Sequence, residues 1–263
     1  MKRMTPAVLV AVFLLCGVVL AVSAWTGAVP VGNWGLSFSQ TGAAPAGPVS
    51  PEKLAELDGA YLDRDGGKVL YLTFDAGYEN GYMPQILDVL LEQQVPAAFF
   101  LVGDYLERNA DLVRRMAREG HIVGNHTMNH PDMSQLAGED FARELVGMEE
   151  LFLQTTGREL DKFYRPPQGV YSEGNLKQAQ ELGYKTVFWS LAHVDWNNGD
   201  QPDPDGAVEK LNSRVHDGAV VLLHATSKTN AEILDRLISG WKDMGYRFAP
   251  LTELFSEGTD GAA

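Results

Sequence analysis

From Lys68 to Pro250 the chain alternates short apolar runs with longer amphipathic ones, and this alternation limits the folds open to it more than any other feature. The runs at 69–74, 97–102, 121–124, 163–165, 186–191, 219–223 and 247–250 are short and rich in β-branched and aromatic residues, which predicts strands. Between them, apolar residues recur at helical spacing over 83–94, 109–119, 134–155, 173–182, 205–216 and 230–244. Gly120, Gly157, Gly183 and Gly245 follow such segments, as helix-ending glycines do. About seven strand-then-helix units favour a parallel sheet closed or nearly closed into a barrel, with an open doubly wound sheet as the alternative. No glycine-rich phosphate loop follows the first strand, so the usual nucleotide-binding reading of such a sheet does not apply.

In either architecture, functional groups collect where strands end and loops begin. Asp75 closes the first strand, His126 and His130 follow the third, and Arg165 closes the fourth. Asp195 and Trp196 follow the fifth, and His224 ends the sixth. A single polar residue at such a place is more often a cap or loop partner than a reactive group. Polar residues at the same end of five of the first six strands point to a shared site. The interval between His126 and His130 lets one helical turn aim both imidazoles at one point, and two convergent imidazoles are half a metal site.

The ends of the chain read differently. Lys2 and Arg3 precede an apolar run from Ala7 to Val22 and the small residues Ser23 and Ala24, the layout of a secretory signal. The run is nearly long enough to span a bilayer, so residues 1–24 are expected to be a signal peptide or a membrane anchor held through 7–24. Either form places the rest outside the cytoplasm. The one cysteine, Cys16, lies inside this run, so the rest of the chain has neither a disulfide nor a cysteine metal site. Residues 25–66 are expected to be a flexible linker and lead-in, because Trp25 to Ser50 is rich in Gly, Ala, Pro and Ser without periodicity. Residues 67–255 are expected to form the folded domain and 256–263 a disordered tail. A net charge of −14 with no Lys/Arg cluster argues against nucleic acid as a partner, since nothing would neutralise phosphates.

Five ordered segments resemble the motifs of the polysaccharide deacetylases with a NodB-type domain, carbohydrate esterase family 4. They are Thr73-Phe-Asp-Ala-Gly77, His126-Thr-Met-Asn-His130, Arg165-Pro-Pro-Gln-Gly169, Val194-Asp-Trp196 and Leu222-Leu-His224. The resemblance covers about Lys68 to Phe255 and implies a distorted (β/α) barrel of about seven parallel strands. The wording around Asp75, with Arg165-Pro-Pro and Val187-Phe-Trp-Ser190, is similar to the delta-lactam-biosynthetic de-N-acetylases. These act on N-acetylmuramic acid in peptidoglycan, notably of the spore cortex.

The resemblance implies Asp75 as general base, Arg165 as its cationic partner, His224 as general acid and Asp195 as the group orienting it. His126 and His130 would hold a divalent ion, zinc or similar. Trp196, and with less support Tyr78 and Trp189, could wall a sugar groove. Ala76 departs from the pattern: families with a strong metal site carry a second aspartate there, and a methyl group cannot ligate. Any ion is therefore expected to be weakly held. The expected activity is an exported peptidoglycan deacetylase acting on muramic acid in glycan strands, a step toward muramic lactam. The nearer alternative is a deacetylase of another N-acetylated glycan, peptidoglycan glucosamine or chitin oligomers. A non-catalytic wall-binding module is the rival from a different class.

Overall fold

The computed structural model describes residues 31–256. The apolar run with Cys16, the first residues of the expected linker and the last seven of the chain lie outside this range. Among the described residues, no helix is long and apolar enough to cross a membrane.

Among the described residues, eleven strands occur in chain order: β1 (Gly32–Asn33), β2 (Gly59–Ala60), β3 (Val69–Ala76), β4 (Ala97–Leu101), β5 (Ile122–Asn125), β6 (Phe163–Tyr164), β7 (Val170–Tyr171), β8 (Lys185–Val187), β9 (Leu191–Ala192), β10 (Ala219–His224) and β11 (Arg247–Phe248). Nine of them make one curled sheet in the order β2-β8-β6-β5-β4-β3-β10-β9, with β11 pairing β3, and every pairing in it is parallel. The helices Met83–Gln93, Ala110–Arg118, Glu139–Thr156, Pro204–Arg214 and Lys228–Asp243 lie among the crossovers. This is the distorted barrel that the alternation implies.

All eight residues of β3 are buried, as a central parallel strand covered on both faces requires. Its even-numbered residues Leu70, Leu72, Phe74 and Ala76 pack with the helices, for instance with Met83, Ile86, Leu87 and Leu90 of Met83–Gln93. Val69 and Tyr71 join the inner cluster with Ala98, Phe100 and Val220, so the period of two sends Thr73 and Asp75 to the inner face. In the register of β3 with β10, His224 lies directly beside Asp75, and Leu101 of β4 lies beside Asn125 of β5. Gly120, Gly157, Gly183 and Gly245 all have positive φ, as expected of residues ending helices.

Three expectations need correction. The run 186–191 is two strands rather than one: β8 pairs β6 and β2, while β9 pairs β10 at the other end of the sheet. The three residues between them cross the gap of the open barrel. The Phe188 N–H donates to the Ala60 carbonyl at 2.9 Å, and the Ser190 N–H donates to that of Val220 at 3.0 Å. The expected helix 134–155 begins at Glu139, because Gly138 at φ 55° and ψ −126° separates it from a short turn at Met133–Gln135.

The third correction concerns 31–50, expected as a tether. Trp34 is 6% exposed, stacks on Phe188 with ring centroids 4.1 Å apart and meets Tyr61 edge-on at 5.0 Å. Its indole N–H donates to the Trp189 carbonyl at 2.9 Å, and β1 pairs antiparallel with β7. This strap therefore plugs the same gap that residues 188–190 cross. Its small residues serve close approach rather than flexibility. Gly169, at φ 68°, shows the same constraint on the facing loop, where a Cβ would lie 2.7 Å from Trp189 and 2.9 Å from Trp34.

Candidate active site

Arg165 and Asp75 meet at the centre of the inner face. Arg165 follows β6, is fully buried, and its Nη1 donates to Asp75 Oδ1 at 2.7 Å. The rest of the guanidinium is satisfied by the backbone: Nε donates to the Val187 carbonyl at 3.0 Å and Nη2 to that of Phe188 at 3.4 Å. Its flat face lies 4.2 Å from the centre of the Phe100 ring. A buried charge needs such partners, because desolvation otherwise costs several kcal/mol. Burial alone would push the Asp75 carboxyl up, but Arg165, His126 and His224 together hold it below the usual carboxylate range.

His126 and His130 occupy a loop after β5 rather than a helical turn. Thr127 (φ 72°) and His130 (φ 55°) both take the left-handed conformation, which a helix excludes. Side chains fix this shape. Asn125 Oδ1 accepts the Thr127 N–H at 2.9 Å, Thr127 Oγ1 accepts the His130 N–H at 2.9 Å, and Glu144 Oε2 accepts the Asn129 N–H at 2.9 Å. The two imidazoles still converge, with ring centroids 4.9 Å apart and planes at 72°. His126 Nδ1 lies 2.8 Å from the Arg165 carbonyl, so the proton sits on Nδ1 and Nε2 keeps its lone pair. That Nε2 is 3.6 Å from Asp75 Oδ2, the oxygen Arg165 leaves free. Burial pulls the His126 pKa down to about 4 and lowers that of His130, so both are neutral near pH 7.

Asp195 and His224 form a second pair beside the first. Asp195 is 1% exposed and accepts three hydrogen bonds: His224 Nδ1 at 2.7 Å, the His224 N–H at 2.8 Å and Asn230 Nδ2 at 2.6 Å. Burial pulls the His224 pKa down, but the hydrogen bond and charge of Asp195, aided by Asp75, outweigh it and raise the net value. With Nδ1 held by Asp195, Nε2 is the ring nitrogen left for a ligand.

Asp75, His126, His130 and His224 line one cavity of about 840 Å³ that also includes Trp189, Tyr78 and Trp196, while Arg165 and Asp195 are buried and do not line it. Tyr78 and Trp196 are 46% and 56% exposed at its rim, and the Trp196 ring lies 5.7 Å from that of His224. The structure thus brings Asp75, His126, His130, Arg165, Asp195 and His224 to one end of the sheet. His121, in contrast, is buried elsewhere, taking the Ala97 N–H on Nδ1 at 3.3 Å.

Two contributors carry no sequence motif. Asn230 is buried at the start of the helix Lys228–Asp243 and supports Asp195; its Oδ1 also meets His193 Nε2 at 2.9 Å. Trp34 lines the cavity from the strap. The available signal for Trp34 was a lone tryptophan among small residues, which has little reason to be there unless it is buried.

Among the described residues, no three His, Cys, Asp or Glu side chains form a metal-holding group. The two convergent imidazoles, neutral and with the His126 tautomer fixed by a carbonyl, have the donor chemistry of a two-ligand site. Ala76 adds nothing to it, since its methyl packs in the outer apolar layer. Asn80, a conceivable substitute, donates its amide to the Thr226 carbonyl at 3.1 Å.

A family model described as polysaccharide deacetylase matches residues 63–187. The chain is 40% identical over 226 residues to the peptidoglycan-N-acetylmuramic acid deacetylase PdaA of Bacillus subtilis, covering 86% of each protein. It is 34% identical over 188 residues to a peptidoglycan-N-acetylglucosamine deacetylase of Bacillus cereus, covering 70% of this chain and 67% of that one. The solved structure of PdaA from Bacillus subtilis, described as a family 4 carbohydrate esterase, superposes with a TM-score of 0.81 at 40% identity, covering 85% of this chain and 96% of that one.

Proposed function

Since the chain belongs to the polysaccharide deacetylase family, the NodB-type family 4 carbohydrate esterases, we propose that it removes the acetyl group from N-acetylmuramic acid in peptidoglycan outside the cytoplasm, as a step toward muramic lactam. The enzyme is a polysaccharide deacetylase. The observation that best supports the chemistry is that an ionised carboxylate and a proton-bearing imidazole, Asp75 and His224, sit beside each other on adjacent strands with opposite pKa displacements. The muramic preference is supported by the relative of greater identity being a muramic acid deacetylase and the other a glucosamine deacetylase.

Hydrolysis of an acetamide needs a base for water, stabilisation of the developing oxyanion and an acid for the departing amine. Asp75 takes the proton from the attacking water. Arg165 keeps that carboxylate ionised and fixes Oδ1, leaving Oδ2 for the proton. His224 delivers a proton from Nε2 to the sugar nitrogen as the C–N bond breaks, giving acetate and a free amine. Asp195 holds the imidazolium in place through Nδ1. His126 and His130 would hold a divalent cation, which when bound supplies Lewis acidity that acidifies water and polarises the acetyl oxygen. With two protein ligands rather than the three usual for catalytic zinc, such an ion would be weakly held. Tyr78 and Trp196 flank the sugar at the rim. Residues 1–24 export the chain as a signal or anchor, and 67–255 carry the activity.

The test is acetate release by the purified enzyme from peptide-free muramyl strands, from glucosamine-acetylated peptidoglycan and from chitin oligomers. Release should be fastest on the muramyl strands, and Asp75→Asn should abolish it. Faster turnover of either other glycan overturns the muramic reading, and unchanged release in Asp75→Asn overturns the base.

A further inference from the structure

The cavity does not stop at the catalytic groups. The helix Pro204–Arg214 returns from the site end of the sheet toward the start of β10, as a crossover between the parallel strands β9 and β10 must. Its last turns therefore carry Lys210 and Arg214 away from His224, yet both side chains line the same cavity, beside Leu36 and Phe38 of the strap. The groove thus runs from the reacting centre along aromatic walls to a pair of cations.

The charge pattern there is unusual for this chain. Net charge is −14, but the one carboxylate among the described residues that line the cavity, Asp75, is already matched by Arg165. Among the described residues, neither Lys210 nor Arg214 has a carboxylate within 4.0 Å, whereas Arg236 reaches Asp205 on this same helix. Arg214 is held in place without being neutralised, because its guanidinium lies 4.5 Å above the centre of the Phe38 ring. Stacking uses the flat face of the group and leaves its edge N–H donors for a planar oxyanion.

We propose that Lys210 and Arg214 form a subsite for a carboxylate borne by the glycan strand at a distance from the sugar being deacetylated. This rests on the muramic reading, since the 3-O-lactyl ether of muramic acid carries such a carboxylate when no peptide is attached. In a strand alternating muramic acid with glucosamine, the next lactyl group lies one disaccharide along the groove, where this cationic end would receive it. Chitin offers no anion to it. The pair acts in substrate selection and touches no reacting atom.

The test compares wild type with Lys210→Gln/Arg214→Gln on peptide-free muramyl strands and on the same strands with their carboxylates converted to methyl amides. Two partly exposed ion pairs amount to about a three- to tenfold rise in KM for the free-acid strands, with kcat held. The methyl-amide strands should show no such rise, and the wild-type advantage should shrink in high salt. An unchanged KM, or an equal rise on both strands, overturns the subsite. Strand binding followed by tryptophan fluorescence in Asp75→Asn protein separates this from failure of the muramic reading, because it requires no turnover. Tighter binding of free-acid than of amidated strands, lost in the triple variant, supports the subsite even if wild type prefers another sugar; equal binding refutes it. Should the double change unfold the protein, Lys210→Gln alone, at an exposed position, carries the comparison with about a twofold effect.

Discussion

Replacing Asp195 by asparagine tests whether His224 works as a protonated acid. Three donors converge on the carboxylate, with His224 Nδ1 on Oδ1 and the His224 N–H and Asn230 Nδ2 on Oδ2. An asparagine amide has one oxygen to offer and turns an NH2 toward the other side. With its oxygen at the Oδ2 position, two bonds survive and the NH2 faces Nδ1. The reverse orientation sets the NH2 against two donors. The first arrangement is favoured, and it forces Nδ1 to accept, so the ring becomes neutral with its proton on Nε2. Burial then acts on His224 with only Asp75 opposing it, and the pKa falls from its raised position.

The basic limb of the rate profile should therefore move to lower pH, and kcat should drop about 10²- to 10⁴-fold, the range for loss of a general acid. Stability should follow with a defined sign. A raised folded-state pKa gives wild type a contribution that is fully present below the ordinary histidine value and lost as pH rises through the folded value. The stability gap between wild type and variant should thus be widest near pH 6, at about 1–3 kcal/mol for the charged hydrogen bond, and narrow above the His224 pKa. Acetate release from roughly pH 5 to 9, with NMR titration of the His224 ring protons, measures both effects. A folded variant whose basic limb stays with wild type would refute the pairing as the source of acidity.

Arg165→Met leaves Asp75 buried without its cation and should lower stability by about 3–5 kcal/mol, or roughly 6–20 °C in melting temperature. The Asp75 pKa should rise and the acidic limb of the rate move up with it, so an unmoved limb would show that Arg165 does not set the base. Trp34→Ala should cost about 3–5 kcal/mol, measured by chemical denaturation, because it empties the plug of the barrel gap. A loss under about 1 kcal/mol would mean the strap is not integral to the fold. Prolonged dialysis against chelator should abolish acetate release and zinc, manganese or cobalt should restore it, with half-restoration at higher metal concentration than three-ligand sites need; full activity after chelation would remove the ion from the mechanism.

The order of elements was legible in the chain because it depends on local periodicity. Continuous apolar runs such as 69–72 need cover on both faces, and glycines such as Gly157 end helices wherever they are placed. From that order follows the parallel sheet, and from the parallel sheet follows the end at which Asp75, Arg165, Asp195 and His224 gather. The split of β8 from β9 was not legible, since 186–191 reads as one apolar run and only pairing with β6 on one side and β10 on the other divides it. The His126 loop escaped for a similar reason: four-residue spacing fits a helix, and the left-handed residues that exclude one are held by Asn125, Thr127 and Glu144.

The sequence by itself determined the fold class, the identity of the polar residues at the strand ends and the lack of a second carboxylate at Ala76. Tertiary structure decided which of those residues meet and how they are charged. A pKa depends on burial and on neighbours remote in sequence: Arg165 lies ninety residues from the Asp75 it ionises. It also decided that the segment from Val31 is a strap and not a tether, because its value lies in a gap that exists only once the sheet has curled and failed to close.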